Sequence, residues 1–496
     1  MNETQPLLRD IHENDLERIL SKDGYDNSQI VDFEPNGDPE NPIDWPKTYK
    51  RGIVALLALM AFTTTFTCIS VVPVANRIVR DLNQDHHTDK SASVLLVTIW
   101  ELGEAAGPLI IGPLSELCGR QRVINVANAL FISASIFAAC CQSTHLLIAA
   151  RFLTGVSVAA NVLNPAIVGD IYLPDQRGSA MSLIMLAPLL GGAIGPALAG
   201  AIAENLGWRQ ILWMSAVLMI ACELVFLGCF RETYKVAILR RKAARLSKET
   251  GNTFKTIYDV DESKRNSTSN FLESITRPFI VFFGSGVLQA LSLFGGITFT
   301  YFYIMSTTLP DILSEIYNLT PAQTGICFIS FSTGSLIMVA LCNTYLDKIY
   351  IHLRTTHNNI NAPEYRLPLV ILGSLTLPLA VASYGWLAQT HAPLPLMLLC
   401  VAAMGFTLTL GYLPVMAYVV DALGLYAASG MTAMIVARCL MGTFFPLAAG
   451  PLVKRFGYGW GFTVLGGISV AMAPIPMVLY RYGARWRLRS PYTSQS

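Results

Sequence analysis

The stretch ASVLLVTIWELGEAAGPLIIGPLSELCGRQR, residues 92–122, decides the fold class. Its first part, 92–113, is apolar over the length a helix needs to cross a bilayer, about 20 residues. Two acids, Glu101 and Glu104, lie inside that run. A polar turn follows, with Gly119, Arg120 and Arg122. Working outward, the same kind of segment recurs along the chain. Spans are expected at 52–73, 92–113, 123–141, 145–168, 180–203, 210–230, 279–304, 325–346, 367–388, 395–420, 427–450 and 461–481. Composition agrees: 53% of the 496 residues are hydrophobic and 14% charged, against about 25% charged in soluble domains. The expected fold is therefore an all-α membrane protein of twelve transmembrane helices.

The polar stretch Arg231–Pro278 divides the spans into two halves. The expected organisation is a tail (1–51), a six-helix half (52–230), a central loop (231–278), a second six-helix half (279–481) and a C-terminal tail (482–496). Residues 1–50 are polar and do not read as a secretory signal. Lys and Arg concentrate in the central loop and in the C-terminal tail, at Arg485, Arg487 and Arg489. By the positive-inside rule, both termini are expected in the cytoplasm. The central loop opens RETYKVAILRRKAARLSKETGN. Val236, Ile238, Leu239, Ala243 and Leu246 fall on one side of a helix, with five basic residues elsewhere. This reads either as an amphipathic helix on the inner membrane surface or as a solvated basic linker. The next stretch, DVDESKRNSTSN, reads as flexible.

The net charge of +2 gives no reason to expect nucleic acid as a partner. The ten cysteines are scattered, mostly inside apolar runs, and lack zinc-site spacing. No metal or cofactor is expected. There is no GxxxxGK[ST], no GxSxG and no HExxH, which argues against an ATP-driven pump and against an enzyme.

Charges inside the membrane are functional candidates by default. Glu101 and Glu104 are three apart, nearly on one helix face, and could share a proton. The alternative is a hydrogen bond to a neighbouring helix. Glu223 in span six and Asp170 at the end of span four are further proton candidates. Arg151 in span four needs an acidic partner or water, and Arg438 in span eleven is its counterpart in the second half. Asp170 and Asp421 could equally be interfacial caps. Span five carries Gly191, Gly195, Pro196 and Gly200, a pattern for tight packing with a bend. Cavity candidates are Trp100, Asn161, Asn164, Gln289, Tyr301, Tyr412 and Met416, which are polar or aromatic groups (Met416 apart) inside apolar spans. Asn318, in Asn318-Leu319-Thr320, is a weak glycan acceptor.

Three of these segments share a resemblance. GPLSELCGRQR resembles the loop signature of the major facilitator superfamily, ARFLTG its span-four motif, and GGAIGPALAG its span-five antiporter motif. GDPENPIDWPKTYK, ELGEAAGPLIIGPLSE, RETYKVAILRRKAARLSKETGN, VVDALGLYAASG and FFPLAAGPL are similar to the fungal twelve-span drug:proton antiporters. The resemblance implies alternating access, a substrate site between the halves, and a gate loop. In that loop Gly112 would give the close turn, Glu116 the acid, and Gly119, Arg120 and Arg122 the lead into span three. The second-half copy, with Asp347 and Lys348, lacks the glycine–arginine turn and is not expected to carry a gate contact. The implied function is proton-coupled export of small amphiphilic organic molecules, namely drugs, toxins or fungal secondary metabolites. The expected setting is a monomer in the lipid bilayer of the cell membrane, with the vacuolar membrane as the other option. Polyamine export, proton-coupled uptake and a non-transporting receptor are the alternatives.

Overall fold

The computed structural model describes residues 30–34, 37–83, 89–158, 160–173, 176–252, 254–256, 258, 267–357 and 362–493, with the backbone alone at 160–162, 267–272 and 425. The first half contains α1 (Lys47–Ile69), α2 (Ala75–Leu82), α3 (Lys90–Cys118), α4 (Arg120–Cys140), α5 (Thr144–Val156), α6 (Ala160–Ile171), α7 (Arg177–Asn205) and α8 (Arg209–Cys229). A linker helix, α9 (Lys235–Thr250), follows. The second half contains α10 (Ser267–Gly284), α11 (Gly286–Glu315), α12 (Pro321–Thr356), α13 (Leu367–Gln389), α14 (Leu394–Leu423), α15 (Ala427–Phe444), α16 (Pro446–Met472) and α17 (Pro474–Arg487).

The helix starts carry local signals. Asp89 caps α3 by accepting from the amides of Ser91 and Ala92 at 2.9 and 3.2 Å. At α12, Thr320 and Gln323 form a capping box with Pro321 in the first turn. Asn318 is exposed in the short turn before that cap, in the left-handed region at φ 53°. The outer wall displays large apolar side chains such as Val126, Leu224, Leu379 and Leu399. Such a surface suits acyl chains rather than water.

Ten stretches among the described residues are long and apolar enough to cross a membrane. The expected fourth span is broken into α5 and α6, with the break near Ser157. The expected eleventh and twelfth spans share one run of 61 residues, Ala427–Arg487. Unbroken, it would be about 90 Å long, three times the hydrocarbon core. It turns at Gly457, whose φ of 74° is non-helical. Spans one and seven are also interrupted, at Ser70–Val74 and at Ser285.

The two halves meet along two seams, α3 against α15 and α7 against α12. In span order these are two against eleven and five against eight. Each seam pairs a second span of one half with a fifth span of the other, so the seams are equivalent under an exchange of halves.

The linker corrects the sequence reading. The apolar side of α9 does not lie on lipid. Val236, Ile238, Leu239 and Ala243 are buried within the protein. Val31, with Phe33, Phe254 and Tyr258, packs against Leu239 and Ala243. The short strands β1 (Ile30–Val31) and β2 (Lys255–Thr256) pair in parallel beside them. The basic face is partly engaged, although Arg241, Arg245 and Lys248 stay exposed. Lys242 binds Asp38 at 2.7 Å, and Arg245 binds Glu40 at 2.9 Å. The amino-terminal segment thus clasps the linker helix. Of DVDESKRNSTSN, residues 259–266 lie outside the described residues, and from Ser267 onward the backbone is helical rather than flexible.

Candidate functional site

A cavity of about 850 Å³ lies between the halves, lined from α1, α3, α7, α11, α12, α14 and α15. Its aromatic walls are Trp100, Phe299, Phe302, Tyr303, Phe331 and Tyr412. Three charged groups, Glu101, Glu104 and Arg438, reach it from the α3–α15 seam. The seam brings a base of the second half to the acids of the first. Arg438 Nη2 donates to Glu104 Oε1 at 2.9 Å, and its Nε lies 3.9 Å from Glu101 Oε2. Its guanidinium stacks over Phe299 at 4.4 Å, a favourable cation–π geometry. Tyr303 donates to Glu101 Oε1 at 2.6 Å. Just beyond, Thr98 and Thr443 exchange hydroxyl-to-carbonyl hydrogen bonds at 3.0 and 3.3 Å. Burying two acids against one guanidinium is stable only with such partners, because each bare ion would be strongly penalised.

The other seam is dry at its core. A Cβ on Gly200 would collide with the Pro321 carbonyl, and one on Gly325 with the Pro196 carbonyl. Each glycine therefore admits the opposite backbone, and α7 and α12 close like a zipper at this end. Toward the other end they part, and the cavity is lined there by Ser182, Met185, Ser335 and Asn343. Gly191 and Gly195 turn to α1 instead. A Cβ there would stand 2.8 Å from Phe62 O and 3.2 Å from Phe66 O.

Arg151 has a different environment from the one expected. No acid holds it. Its guanidinium donates to the carbonyls of Thr67 and Cys68 at 3.1 and 2.7 Å and lies over Trp100 at 5.2 Å. Those carbonyls belong to the last turn of α1, where they lack helical partners. The negative end of the helix dipole takes the place of a carboxylate.

The gate loop is also rebuilt. Gly112 lies inside α3, where its carbonyl accepts from Ser115 at 2.6 Å. The turn is made at Gly119, at φ 92°, where a Cβ would strike the Glu232 carboxylate. Glu232 accepts from the amides of Arg120, Thr233 and Tyr234 at 2.9 to 3.1 Å. Arg120 pairs with Asp170 at 3.4 Å, not with Glu116, and also donates to Ser115. Glu116 lies within the electrostatic reach of Arg120 and of Arg277 in the second half. Arg122 is exposed. The second half holds an equivalent cluster, contrary to expectation. Arg366 binds Asp421 and, at 3.1 Å, Asp347, and stacks over Tyr350 at 5.0 Å. It does so without a glycine, because a short 3₁₀ turn at Pro363–Arg366 delivers the arginine.

Most of the remaining sequence candidates lie away from the cavity. Glu223 accepts from Asn128 at 2.6 Å between α8 and α4. Gln289 donates to the Phe282 and Phe283 carbonyls, repairing the break at Ser285. Tyr301 donates to the Leu465 carbonyl at 2.6 Å, and Asn164 to that of Leu57 at 3.5 Å. Met416 packs in an apolar cluster of the second half. The Asn161 side chain lies outside the described residues. Trp100 and Tyr412 line the cavity. Tyr303, Phe299 and Phe302 line it without having been singled out. The one available signal was aromatic density in the segment FTYFY of span seven.

The family profile described as Major Facilitator Superfamily matches residues 53–446. The chain belongs to the major facilitator superfamily. It is thus a multi-pass membrane transporter. It is 32% identical to "MFS transporter cpaT" of Aspergillus oryzae over 94% of this chain and 93% of that one. It is 33% identical to "Efflux pump radE" of Floropilus chiversii, covering 92% and 85% of the two chains. Solved major facilitator structures share the fold. The Escherichia coli xylose transporter XylE superposes with a TM-score of 0.63 at 15% identity over 88% of this chain and 98% of that one. The human organic anion transporter MFSD10 gives 0.60 at 17% identity over 87% and 100%.

Proposed function

We propose that this major facilitator is a proton-coupled antiporter that exports small amphiphilic organic molecules across the cell membrane. The reading includes twelve crossings, both termini in the cytoplasm and a monomeric working unit. The observation that carries it is the cluster of Glu101, Glu104, Arg438 and Tyr303 on the wall of an aromatic cavity between the halves. A cavity with apolar walls and few polar anchors suits amphiphilic organic compounds. Acids that bridge the halves let protonation favour one arrangement of the halves over another. With the termini inside, the closed zipper is the outer gate and the cavity opens inward. Relatives named as efflux pumps, radE and vrtL of Penicillium aethiopicum, support the export direction.

The test uses purified protein in proteoliposomes under an imposed pH gradient, with a transported dye followed in time. Uphill dye movement should be gradient-driven in wild type. It should be lost in Glu101→Gln or Glu104→Gln, with downhill exchange retained. Gradient-insensitive movement in wild type would sink the antiporter reading. Coupling that survives in both single variants and in the double variant would move the proton site elsewhere, Glu223 and Asp170 being next.

A further inference from the structure

We infer that Glu101 is the hydrogen-bond acceptor for neutral aromatic substrates that carry an O–H or N–H donor. The inference rests on the export reading above and names the chemistry its cavity selects.

The two oxygens of Glu101 are unequal. Oε1 is taken by the Tyr303 hydroxyl at 2.6 Å. Oε2 is buried and has no hydrogen-bond partner among the described residues, although the residue is only 2% exposed. Its nearest cationic atom, Arg438 Nε, is 3.9 Å away and is itself without a partner. That separation exceeds a hydrogen bond. A buried acceptor left unmade is costly, so a donor that reaches it gains more than one exchanging with water. Gly442 lies against this oxygen, and a Cβ there would stand 3.3 Å from it, tighter than an ordinary contact. The aromatic body of a ligand has Trp100, Phe299, Phe302 and Tyr303 to pack on.

Charge then selects the ligand. The groups facing Glu101 are Glu104 on its own helix, Tyr303 from α11, Tyr412 from α14, Arg438 and Cys439 from α15, and Cys68 near the end of α1. A cation at Oε2 would have its attraction to Glu101 offset by the neighbouring Arg438 guanidinium. An anion would face two glutamates. A neutral donor meets neither penalty, which separates this site from one built for polyamines.

The direction of coupling makes the same choice. Exchange needs substrate and proton to disfavour one another's binding, and a shared acceptor does this directly. A neutral donor needs the lone pair that a proton would occupy. An anion seated on Arg438 would instead favour a protonated Glu104 and travel with the proton.

The experiment is equilibrium dialysis of four probes against the full-length protein in nanodiscs, with empty nanodiscs subtracting lipid partition. The probes are 2-naphthol, 2-methoxynaphthalene, 2-naphthoate and the cation 2-naphthylmethylammonium. In wild type, 2-naphthol should bind at least tenfold more tightly than each of the others. Glu101→Leu should bring 2-naphthol to the level of its methyl ether. Gly442→Ala, a milder change, should weaken 2-naphthol at least threefold and leave the ether alone. Equal binding of naphthol and its ether, tighter binding of the ammonium or naphthoate probe, or a naphthol preference that survives both substitutions would each overturn the inference. The proteoliposome assay reads the export assignment separately. Gradient-driven export without a donor preference removes this inference alone, and a donor preference without gradient response supports the acceptor while removing proton coupling.

Discussion

The two seams between the halves are built from equivalent helices, yet one is polar and the other is backbone against backbone. Along α3 and α15, charges and hydroxyls cross between the halves. Along α7 and α12, glycines admit carbonyls of the opposite chain segment. The difference teaches that one repeat geometry can carry two tasks. A seam whose contacts are ionic responds to protons and ligands. A seam whose contacts are steric responds only to shape, so it seals.

The strongest way to break this comparison is to fill the dry seam. Gly200→Leu or Gly325→Leu should cut export below a tenth of wild type while the protein still inserts. Cysteines placed at the zipper end of α7 should then become accessible from outside. Gly195→Leu should be milder, because its limiting contact is 3.2 Å rather than a direct collision. Equal effects at the two sites would show that packing against α1, and not closure between halves, governs the motif.

A smaller effect is expected at the polar seam. Arg438→Ala leaves Glu104 buried without its cation, and breaking such a pair costs about 3–5 kcal/mol. Thermal unfolding in detergent should register that loss. Arg438→Met combined with Glu104→Met should recover much of it, because matched apolar groups need no partner. A double variant no more stable than Arg438→Ala would mean that the pair contributes packing and not charge.

The smallest effect lies at the clasp between the amino-terminal segment and α9, which sharpens the comparison by adding a third, exposed polar junction. Burial alone would raise the Asp38 carboxyl. The hydrogen bond from Lys242, the amides of Glu40 and Glu34 and the Lys242 charge together outweigh it and hold the group below its ordinary value. The clasp is therefore complete above the ordinary carboxylate range. Its contribution is lost as pH falls through the depressed folded value. A cysteine at Val31 should label faster in that acid window, and Lys242→Ala should label faster already at neutral pH. Lys242→Ala should cost about 1–2 kcal/mol of local stability. Labelling that ignores both changes would mean that β1 is held by Val31 packing alone.

Much of the fold was legible because a membrane imposes a length and a polarity on each crossing. The apolar runs stand out without any partner being known. Breaks inside spans were less legible, since Ser157 and Ser285 interrupt segments whose hydropathy does not change, whereas Gly457 falls in the loop expected between 450 and 461, beside Lys454 and Arg455. Glu101 and Glu104 could be read as candidates because a charge in an apolar run is conspicuous. Their pairing could not, because Arg438 lies 334 residues from Glu104 and no local pattern links them. Arg151 misled for a related reason: its partner is a helix end, which has no side-chain signature. Gln289 and Tyr301 looked like cavity groups because a sequence does not say which side of a helix faces its own backbone. Glu232 was hidden in a stretch that reads as linker, where an acid is unremarkable.

The glycine–proline zipper also bears on speed. At the closest approaches of α7 and α12 the touching groups are carbonyls and bare α-carbons, which form at most weak, poorly directed attractions. Separating them breaks one exposed hydrogen bond, from the Ala322 amide to Glu204 at 3.3 Å. The enthalpic barrier to opening should therefore arise at the α3–α15 seam and at the Lys90–Asp311 pair between α3 and α11, where ion pairs and hydroxyl bonds must be exchanged. The temperature dependence of turnover would then follow substitutions at Glu104, Arg438 and Thr443, and be almost indifferent to small conservative changes along the zipper.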